Sequence, residues 1–211
     1  MIVVVEHLEP CINKWLLTEY TYVASLFPGR VWFTNVRKRI EYLERIGKVF
    51  RESCVEILRG KNAIVLDPQA EEKLNPEDLK HVQFVVIGGI MGSHPPEGRT
   101  YEFITSRMPW AKPRNLGREQ LTIAGAAKVL KLVEEGRKLD EIKLVKGLRI
   151  ERSLGKGIKH VVELPYAFPL RDDGSIDLPP RYIEIVVEYA ALYEQRVLRS
   201  AEECVNDYGY G

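Results

Sequence analysis

The chain has 211 residues, of which 31 are Lys or Arg and 30 are Asp or Glu, so its formal net charge is +1. This length favours one domain with an appended element. The near-neutral charge is not typical of a dedicated nucleic-acid-binding protein, which usually has a clear basic excess, and no apolar run is long enough to cross a membrane.

The three cysteines, at positions 11, 54 and 204, are odd in number and far apart. They show neither the ligand spacing of a zinc site nor the density of a disulfide framework. The apolar start, Met1–Val5, is too short for a signal peptide and lacks the basic residues that precede one. We therefore expect no metal site and a cytoplasmic location, where thiols stay reduced.

Short apolar runs alternate with segments of helical periodicity through the first two thirds of the chain. The predicted strands are Ile2–Val5, Val31–Phe33, Ala63–Leu66, Gln83–Ile87, Trp110–Asn115 and Ile142–Val145. One predicted helix begins near Pro10, and two others begin after the capping residues Asn35 and Thr122. Three short helices are predicted over Glu52–Leu58, Pro76–Leu79 and Arg99–Ser106. This alternation predicts an α/β fold with a mostly parallel sheet and helices on both faces.

The pattern changes after residue 147. Leu148–Glu151 and Ile158–Leu164 are predicted to pair as a hairpin around Gly155 and Gly157, and a long amphipathic helix then covers Ile183–Val205. We therefore divide the chain into an α/β part, residues 1–147, and a C-terminal extension, residues 148–211, packed on it.

Two of the predicted strands end in glycines. Gln83–Ile87 runs into Gly88, Gly89 and Gly92, and Trp110–Asn115 ends at Leu116–Gly117. Open α/β sheets bind ligands at the carboxyl ends of their strands, and glycine lets a ligand approach the backbone closely. Neither common nucleotide-binding fingerprint is present, so the residues predict a backbone-lined pocket, with a simple tight turn as the alternative.

The stretches GGIMGSHPP, RNLGREQLT and LDP (Leu66–Pro68), together with the opening VVVEHLEP, resemble the SPOUT methyltransferases. The branch that they resemble contains predicted S-adenosylmethionine-dependent RNA methyltransferases and a eukaryotic arginine methyltransferase of a ribosomal protein. The resemblance implies S-adenosylmethionine as cofactor and a deep trefoil knot in the α/β part. It also implies a homodimer, unless the long C-terminal helix covers the usual dimer face.

By motif position, the resemblance implies a bent cofactor held among three loops. The implied cofactor contacts are Leu66, Asp67, Pro68, Gly88, Gly89, Ile90, Gly92, His94, Asn115, Leu116, Gly117, Gln120, Leu121 and Thr122. Arg99 is a candidate for the carboxylate of the methionine moiety, with an ion pair to Glu97 or Glu102 as the alternative.

Candidate catalytic residues follow the first strand. An arginine side chain has a pKa above about 12, so a nearby base or a positioning carboxylate helps its methylation. Glu6, His7 and Glu9 are candidates if that strand is parallel to its neighbour, while Glu9 has capping of the next helix as its alternative. His94 is a further candidate base, or it packs on Pro95–Pro96. In the first helix, Glu19 lies in a stretch that resembles the same branch.

We therefore predict a methyltransferase that uses S-adenosylmethionine and acts on a ribosome-related substrate, either a protein arginine or an RNA such as rRNA or tRNA. Two basic clusters, Arg30–Arg51 and Lys143–Lys159, favour RNA, with ordinary solvated surfaces as the alternative, whereas the neutral net charge favours a protein. The alternative is a non-catalytic module that binds RNA or a ribosomal particle, because a fold does not guarantee an activity.

Overall fold

The computed structural model describes residues 1–92, 97–155 and 158–188. Six strands form one sheet in which every neighbouring pair is parallel, in the order β3-β2-β1-β5-β4-β6. The strands are β1 (Ile2–His7), β2 (Val31–Thr34), β3 (Lys48–Val49), β4 (Ala63–Leu66), β5 (Phe84–Gly89) and β6 (Lys112–Arg114). The prediction of a parallel sheet is confirmed.

Helices cover both faces of this sheet. They are α1 (Lys14–Leu26), α2 (Glu41–Ile46), α3 (Cys54–Ile57), α4 (Pro76–Lys80), α5 (Arg99–Phe103) and α6 (Ile123–Glu134). Successive strand residues point to opposite faces. Val3 and Val5 therefore pack in the core that includes residues of α1 and α6, while Val4 packs in the core that includes Cys54.

Two predicted helix starts are wrong. Helix α1 begins after Asn13, whose side chain accepts a hydrogen bond from the Leu16 N–H at 2.8 Å, and Pro10 lies outside it. Asn35 caps no helix: it has a left-handed φ of 59° and donates a hydrogen bond to the His7 carbonyl. The cap at Thr122 is confirmed, because its hydroxyl accepts from the Gly125 N–H at 3.0 Å.

The C-terminal extension begins with the predicted hairpin, which is longer than expected. Strands β7 (Leu144–Gly155) and β8 (Ile158–Pro169) are antiparallel and form a separate sheet. Ile142–Val145 is therefore not a strand of the main sheet, because its apolar residues lead into β7. The predicted division at residue 147 falls inside β7 and stays a prediction, as does the trefoil knot.

A third core joins the hairpin to the rest of the molecule. Phe168 of β8 packs there with Tyr182 and Val186 from a helical segment over residues 182–188, and with Trp15 of α1. The remainder of the predicted long helix lies outside the described residues. Within the described part of the chain, no helix has the length and apolarity to cross a membrane.

Among the described residues, Cys54 at the start of α3 is a free and buried thiol. Burial raises the pKa of the Cys54 thiol well above its usual range, so this thiol stays protonated and packs as an apolar group.

Candidate active site

The main cleft opens at the carboxyl ends of β4 and β5, where the sheet predicts a ligand site. It has a volume of about 320 Å³ and is bounded by three segments after strands, at 66–69, 87–92 and 116–126, and by the start of α5. The structure therefore shows three loops that meet at one pocket, as predicted.

Most of the predicted cofactor contacts line this cleft. Those that do are Leu66, Asp67, Pro68, Gly88, Ile90, Gly92, Leu116, Gly117, Gln120, Leu121 and Thr122. Arg118 and Glu119, from the motif RNLGREQLT, line the cleft as well. Further lining residues lie outside the motifs: Gln69, Ile87, Glu97, Gly98, Thr100, Ile123 and Ala126. Arg99, predicted as a contact for the carboxylate of the methionine moiety, begins α5 and also lines the cleft.

Two predicted contacts, Gly89 and Asn115, are not among the residues that line the cleft. Gly89 does not line the cleft, because alternate residues of β5 face opposite sides of the sheet. Asn115 shapes the loop from behind: its amide donates to the Ala70 carbonyl and its oxygen accepts from the Gly117 N–H at 3.0 Å. His94 lies outside the described residues.

Hydrogen bonds from neighbouring elements hold the cleft loops. The Asp67 carboxylate is buried and accepts from the Gln69 N–H at 2.9 Å and the Thr105 hydroxyl at 2.6 Å. From the hairpin, the Tyr166 hydroxyl donates to the Gly92 carbonyl at 2.5 Å, and the Ala167 N–H donates to the Gln120 carbonyl at 2.8 Å. The C-terminal extension thus supports two of the three loops.

Arg99 ties the end of β1 to the loop after β5. Its guanidinium donates to the Glu9 carboxylate at 3.0 Å, and to the carbonyls of Met91 and Leu8 at 3.5 and 3.4 Å. The same Glu9 oxygen accepts from the Met91 N–H at 3.0 Å. Glu9 therefore braces the cleft rather than capping α1, and Arg99 and Arg118 are the two cationic residues among those that line the cleft.

The predicted catalytic residues Glu6 and His7 do not line the main cleft. Glu6 is 1% exposed and accepts hydrogen bonds from the Thr34 hydroxyl at 2.5 Å, the Ser53 hydroxyl at 2.6 Å and the Cys54 N–H at 2.8 Å. It borders a second, polar cavity of about 570 Å³ instead. The strand is parallel as predicted, but α1 and α3 cover its carboxyl end.

His7 is buried against α1. Its Nδ1 lies 2.9 Å from the Tyr20 hydroxyl, and burial lowers the pKa of His7 to about 4. The imidazole is therefore neutral at neutral pH and carries no charge that could offset the nearby carboxylates.

We expect the depressed pKa of His7 to make the protein less stable as the pH falls. Between about pH 6.5 and 4 the unfolded chain binds the His7 proton more readily than the folded chain, so unfolding becomes easier by up to about 3 kcal/mol. His7→Asn keeps a polar group near Nδ1 and removes the titration. Urea denaturation of both proteins at about pH 4.5 and pH 7 measures this. An equal pH dependence in the variant would contradict the prediction.

Glu19 of α1 is the other buried carboxylate beside the cleft. It is 3% exposed, and its oxygens accept from the Tyr182 hydroxyl at 2.7 Å, the Trp15 indole N–H at 3.2 Å and the Ala124 N–H at 2.5 Å. The Thr122 hydroxyl donates a further hydrogen bond. Glu19 thus joins α1, the start of α6 and the C-terminal extension at one point.

Comparison with known proteins identifies the family to which this site belongs. The family model of SFM1-like protein arginine N-methyltransferases matches residues 2–192. The chain belongs to this family. The predicted class of enzyme, a methyltransferase, is thereby confirmed, and so is the resemblance to a branch that contains an arginine methyltransferase.

Relatives of this SFM1-like chain agree with that assignment. Protein arginine N-methyltransferase SFM1 of Saccharomyces cerevisiae is 26% identical over 208 residues, which cover 89% of this chain and 95% of the yeast protein. The crystal structure of the yeast arginine methyltransferase SFM1 complexed with SAM has a TM-score of 0.78 at 22% identity, covering 90% of this chain and 91% of the yeast chain. Other structures of yeast SFM1 are complexed with SAH and MTA.

A solved structure with another name also resembles the fold. The dual-specific Trm10 of Thermococcus kodakaraensis has a TM-score of 0.50 at 21% identity, covering 66% of the SFM1-like chain and 96% of Trm10. Identities this low show the fold alone, so Trm10 supports the SPOUT-like α/β architecture of the chain and carries no argument about its substrate.

Proposed function

We propose that this chain transfers a methyl group from S-adenosylmethionine to an arginine side chain of a ribosome-related protein. The observation that carries the proposal is the main cleft, in which the three predicted loops meet at the carboxyl edge of the sheet. Its support is that the chain belongs to the SFM1-like family and that yeast SFM1 is complexed with SAM.

The residues of the cleft fit such a cofactor. Gly88 and Gly117 bring bare backbone to its wall, and Gly117 has a φ of 110°, which favours glycine. Leu66, Leu116 and Leu121 offer apolar surface to an adenine ring, as expected of a largely apolar ligand site. Arg99 supplies a positive charge for the carboxylate of the methionine moiety.

When bound, S-adenosylmethionine supplies a methyl group made electrophilic by the neighbouring sulfonium. Transfer of that methyl group to an arginine nitrogen would leave the electron pair of the broken carbon–sulfur bond on sulfur, and would require a residue of the protein to take the proton that the nitrogen loses. Two cleft carboxylates are already engaged: Asp67 with Thr105, and Glu119 with Lys146 at 3.0 Å. Glu97 at the mouth makes no hydrogen bond or ion pair with any described residue and is our candidate to receive the proton.

Charge pairing favours a protein substrate over RNA. In the first basic cluster, Arg30 pairs with Glu134 at 2.6 Å and Arg39 with Glu44 at 3.0 Å. In the second, Arg149 pairs with Glu163 at 3.2 Å. Partners of opposite sign reduce the positive field that phosphate binding requires, so these clusters support RNA binding less than their sequence indicates.

The proposal predicts stabilisation by the cofactor and labelling of protein. At about 100 times the Kd, S-adenosylmethionine should stabilise the fold by about 2.7 kcal/mol, which raises the Tm by roughly 5–10 °C. With methyl-labelled cofactor and separated ribosomal protein and RNA fractions, the label should be recovered as methylarginine and resist nuclease. Label in RNA would contradict the arginine assignment, and binding without transfer to either fraction would favour the non-catalytic module.

Further features of the chain belong to the same proposal. The SPOUT relation supports a trefoil knot around the cleft, residues 1–147 as the cofactor-binding part, and residues 148–211 as an extension packed on it. We also propose a cytoplasmic location, where ribosome-related proteins are made, and a homodimer as the assembly to test by light scattering.

A further inference from the structure

A small cavity adjoins the main cleft on the side of α1. We name it the Glu19 cavity; it is lined by Trp15, Glu19, Ile90, Met91, Gly92, Thr122, Ile123 and Tyr166. Four of these residues, Ile90, Gly92, Thr122 and Ile123, also line the main cleft. The two spaces therefore share a wall, and a group in the Glu19 cavity is a neighbour of any ligand in the cleft.

The carboxylate in this cavity lacks a counter-charge. Its four donors are the Trp15 indole, the Tyr182 and Thr122 hydroxyls and the Ala124 N–H, all of them neutral. Among the described residues, no lysine or arginine lies within ion-pair distance of it. A buried charge without an opposite charge is costly even when it is hydrogen-bonded, and burial accordingly raises the pKa of Glu19.

The charge of Glu19 acts on a residue that lines the cavity: the pKa of Tyr166 is raised by burial first and then by this charge. Tyr20, beside Glu19 on α1, has its pKa raised by burial first and then by the charges of Glu9, Glu6 and Glu19. His7 is neutral at neutral pH, as its pKa of about 4 requires. Arg99, paired with Glu9, is the cation that offsets part of this field. The site thus attracts a positive group.

The walls beside Glu19 suit a planar cation. The rings of Trp15 and Tyr166 line the cavity and are partly exposed. Guanidinium groups stack on aromatic faces and pair with carboxylates. The open space is small, about 20 Å³, so entry requires movement of Met91, whose unbranched side chain repacks readily.

We propose that the Glu19 cavity is the subsite for the acceptor arginine, whose guanidinium lies against the rings of Trp15 and Tyr166 with the Glu19 carboxylate as its counter-charge. The inference rests on the proposed function, because the guanidinium is placed next to the cofactor cleft. It assigns to Glu19 a role in recognising charge, in addition to its hydrogen bonds to α6 and the C-terminal extension.

The test compares a charged and a neutral probe of the same shape. Methylguanidinium and methylurea are titrated, by NMR, into the protein saturated with S-adenosylhomocysteine. The wild type should bind methylguanidinium about 10-fold more tightly or better, as a buried charge-assisted contact implies. Glu19→Gln should bind both probes equally while keeping its affinity for S-adenosylhomocysteine. The matched control is Tyr182→Phe, which removes one donor to Glu19 but leaves its charge, so the preference should persist.

The outcomes separate the subsite from the proposed function. A Glu19→Gln protein that keeps the preference for methylguanidinium overturns the subsite, and so does a wild type without any preference. A wild type that does not bind S-adenosylhomocysteine overturns the proposed function instead. If Glu19→Gln does not fold, the Trp15 pair decides: Trp15→Phe, which keeps a ring, should retain the preference, and Trp15→Leu should lose several-fold of it. Equal behaviour of these two variants contradicts the proposal.

Discussion

Gly89→Ala is expected to lower the Tm by roughly 6–12 °C, a loss of about 3 kcal/mol. A Cβ at Gly89 would lie 2.5 Å from the Tyr20 hydroxyl oxygen and 2.7 Å from the Glu6 carbonyl oxygen. Neither atom can retreat freely, because Tyr20 is buried, bonded to His7 and stacked on Phe33, and the carbonyl belongs to β1. Thermal unfolding of the purified variant measures the effect.

Gly88→Ala is the matched control for Gly89, on the adjacent residue of the same strand. A Cβ at Gly88 would meet the Thr100 hydroxyl at 3.2 Å and the end of the Ile90 side chain at 3.3 Å. Both are side-chain atoms at the wall of the main cleft, so the fold should tolerate the change while cofactor affinity falls by about 10-fold. If Gly88→Ala were the less stable of the two variants, the assignment of the two glycines to opposite faces would be wrong.

This pair of glycines shows what can be predicted from sequence at a strand end. The motif predicts that backbone at Gly88–Gly92 borders a pocket, and the cleft confirms it. Which glycine faces the ligand depends on the pleat and on the neighbour across the sheet, here β1 with Tyr20 behind it. Tyr20 is 69 residues away in sequence, so local patterns carry no information about that contact.

The position of the catalytic candidates Glu6 and His7 away from the main cleft has a similar cause. The polar residues Glu6 and His7 end a strand that is parallel to β5, as predicted, and a parallel edge normally faces the ligand. Ser53, which caps α3, hydrogen-bonds to Glu6, and Tyr20 of α1 hydrogen-bonds to His7. Only tertiary packing decides whether a polar residue at a strand end meets a ligand or another side chain.

Periodicity predicted the elements better than their ends. Five of the six parallel strands and α6 with its Thr122 cap follow from apolar spacing and capping chemistry. The edge strand β3, Lys48–Val49, has only two residues and was not predicted. By contrast, Ile142–Val145 has the composition of a buried strand but begins the hairpin. An apolar run predicts that the segment is buried, but it does not predict which sheet the segment joins.

Arg99→Ala is expected to weaken binding of S-adenosylmethionine roughly 30- to 100-fold. The change removes the charge proposed for the methionine carboxylate, and it leaves Glu9 and the carbonyls of Leu8 and Met91 without their donor. Each charged hydrogen bond is worth about 1.5–3 kcal/mol when its partner stays buried. The loop after β5, which the guanidinium fastens to β1, would also lose its brace. Calorimetric titration with the cofactor measures the loss.

Arg107 provides the control for Arg99 because it follows on the same segment yet lines the second cavity, stacking on Phe103 at 5.7 Å. Arg107→Ala should leave cofactor affinity within about twofold, since the effect of an exposed side chain is local. Arg99→Lys should recover only part of the binding, because a single ammonium cannot reproduce the planar fork that reaches Glu9, Leu8 and Met91 together. Full recovery with lysine would mean that Arg99 acts through charge alone, and an equal loss in Arg107→Ala would move the carboxylate site away from the main cleft.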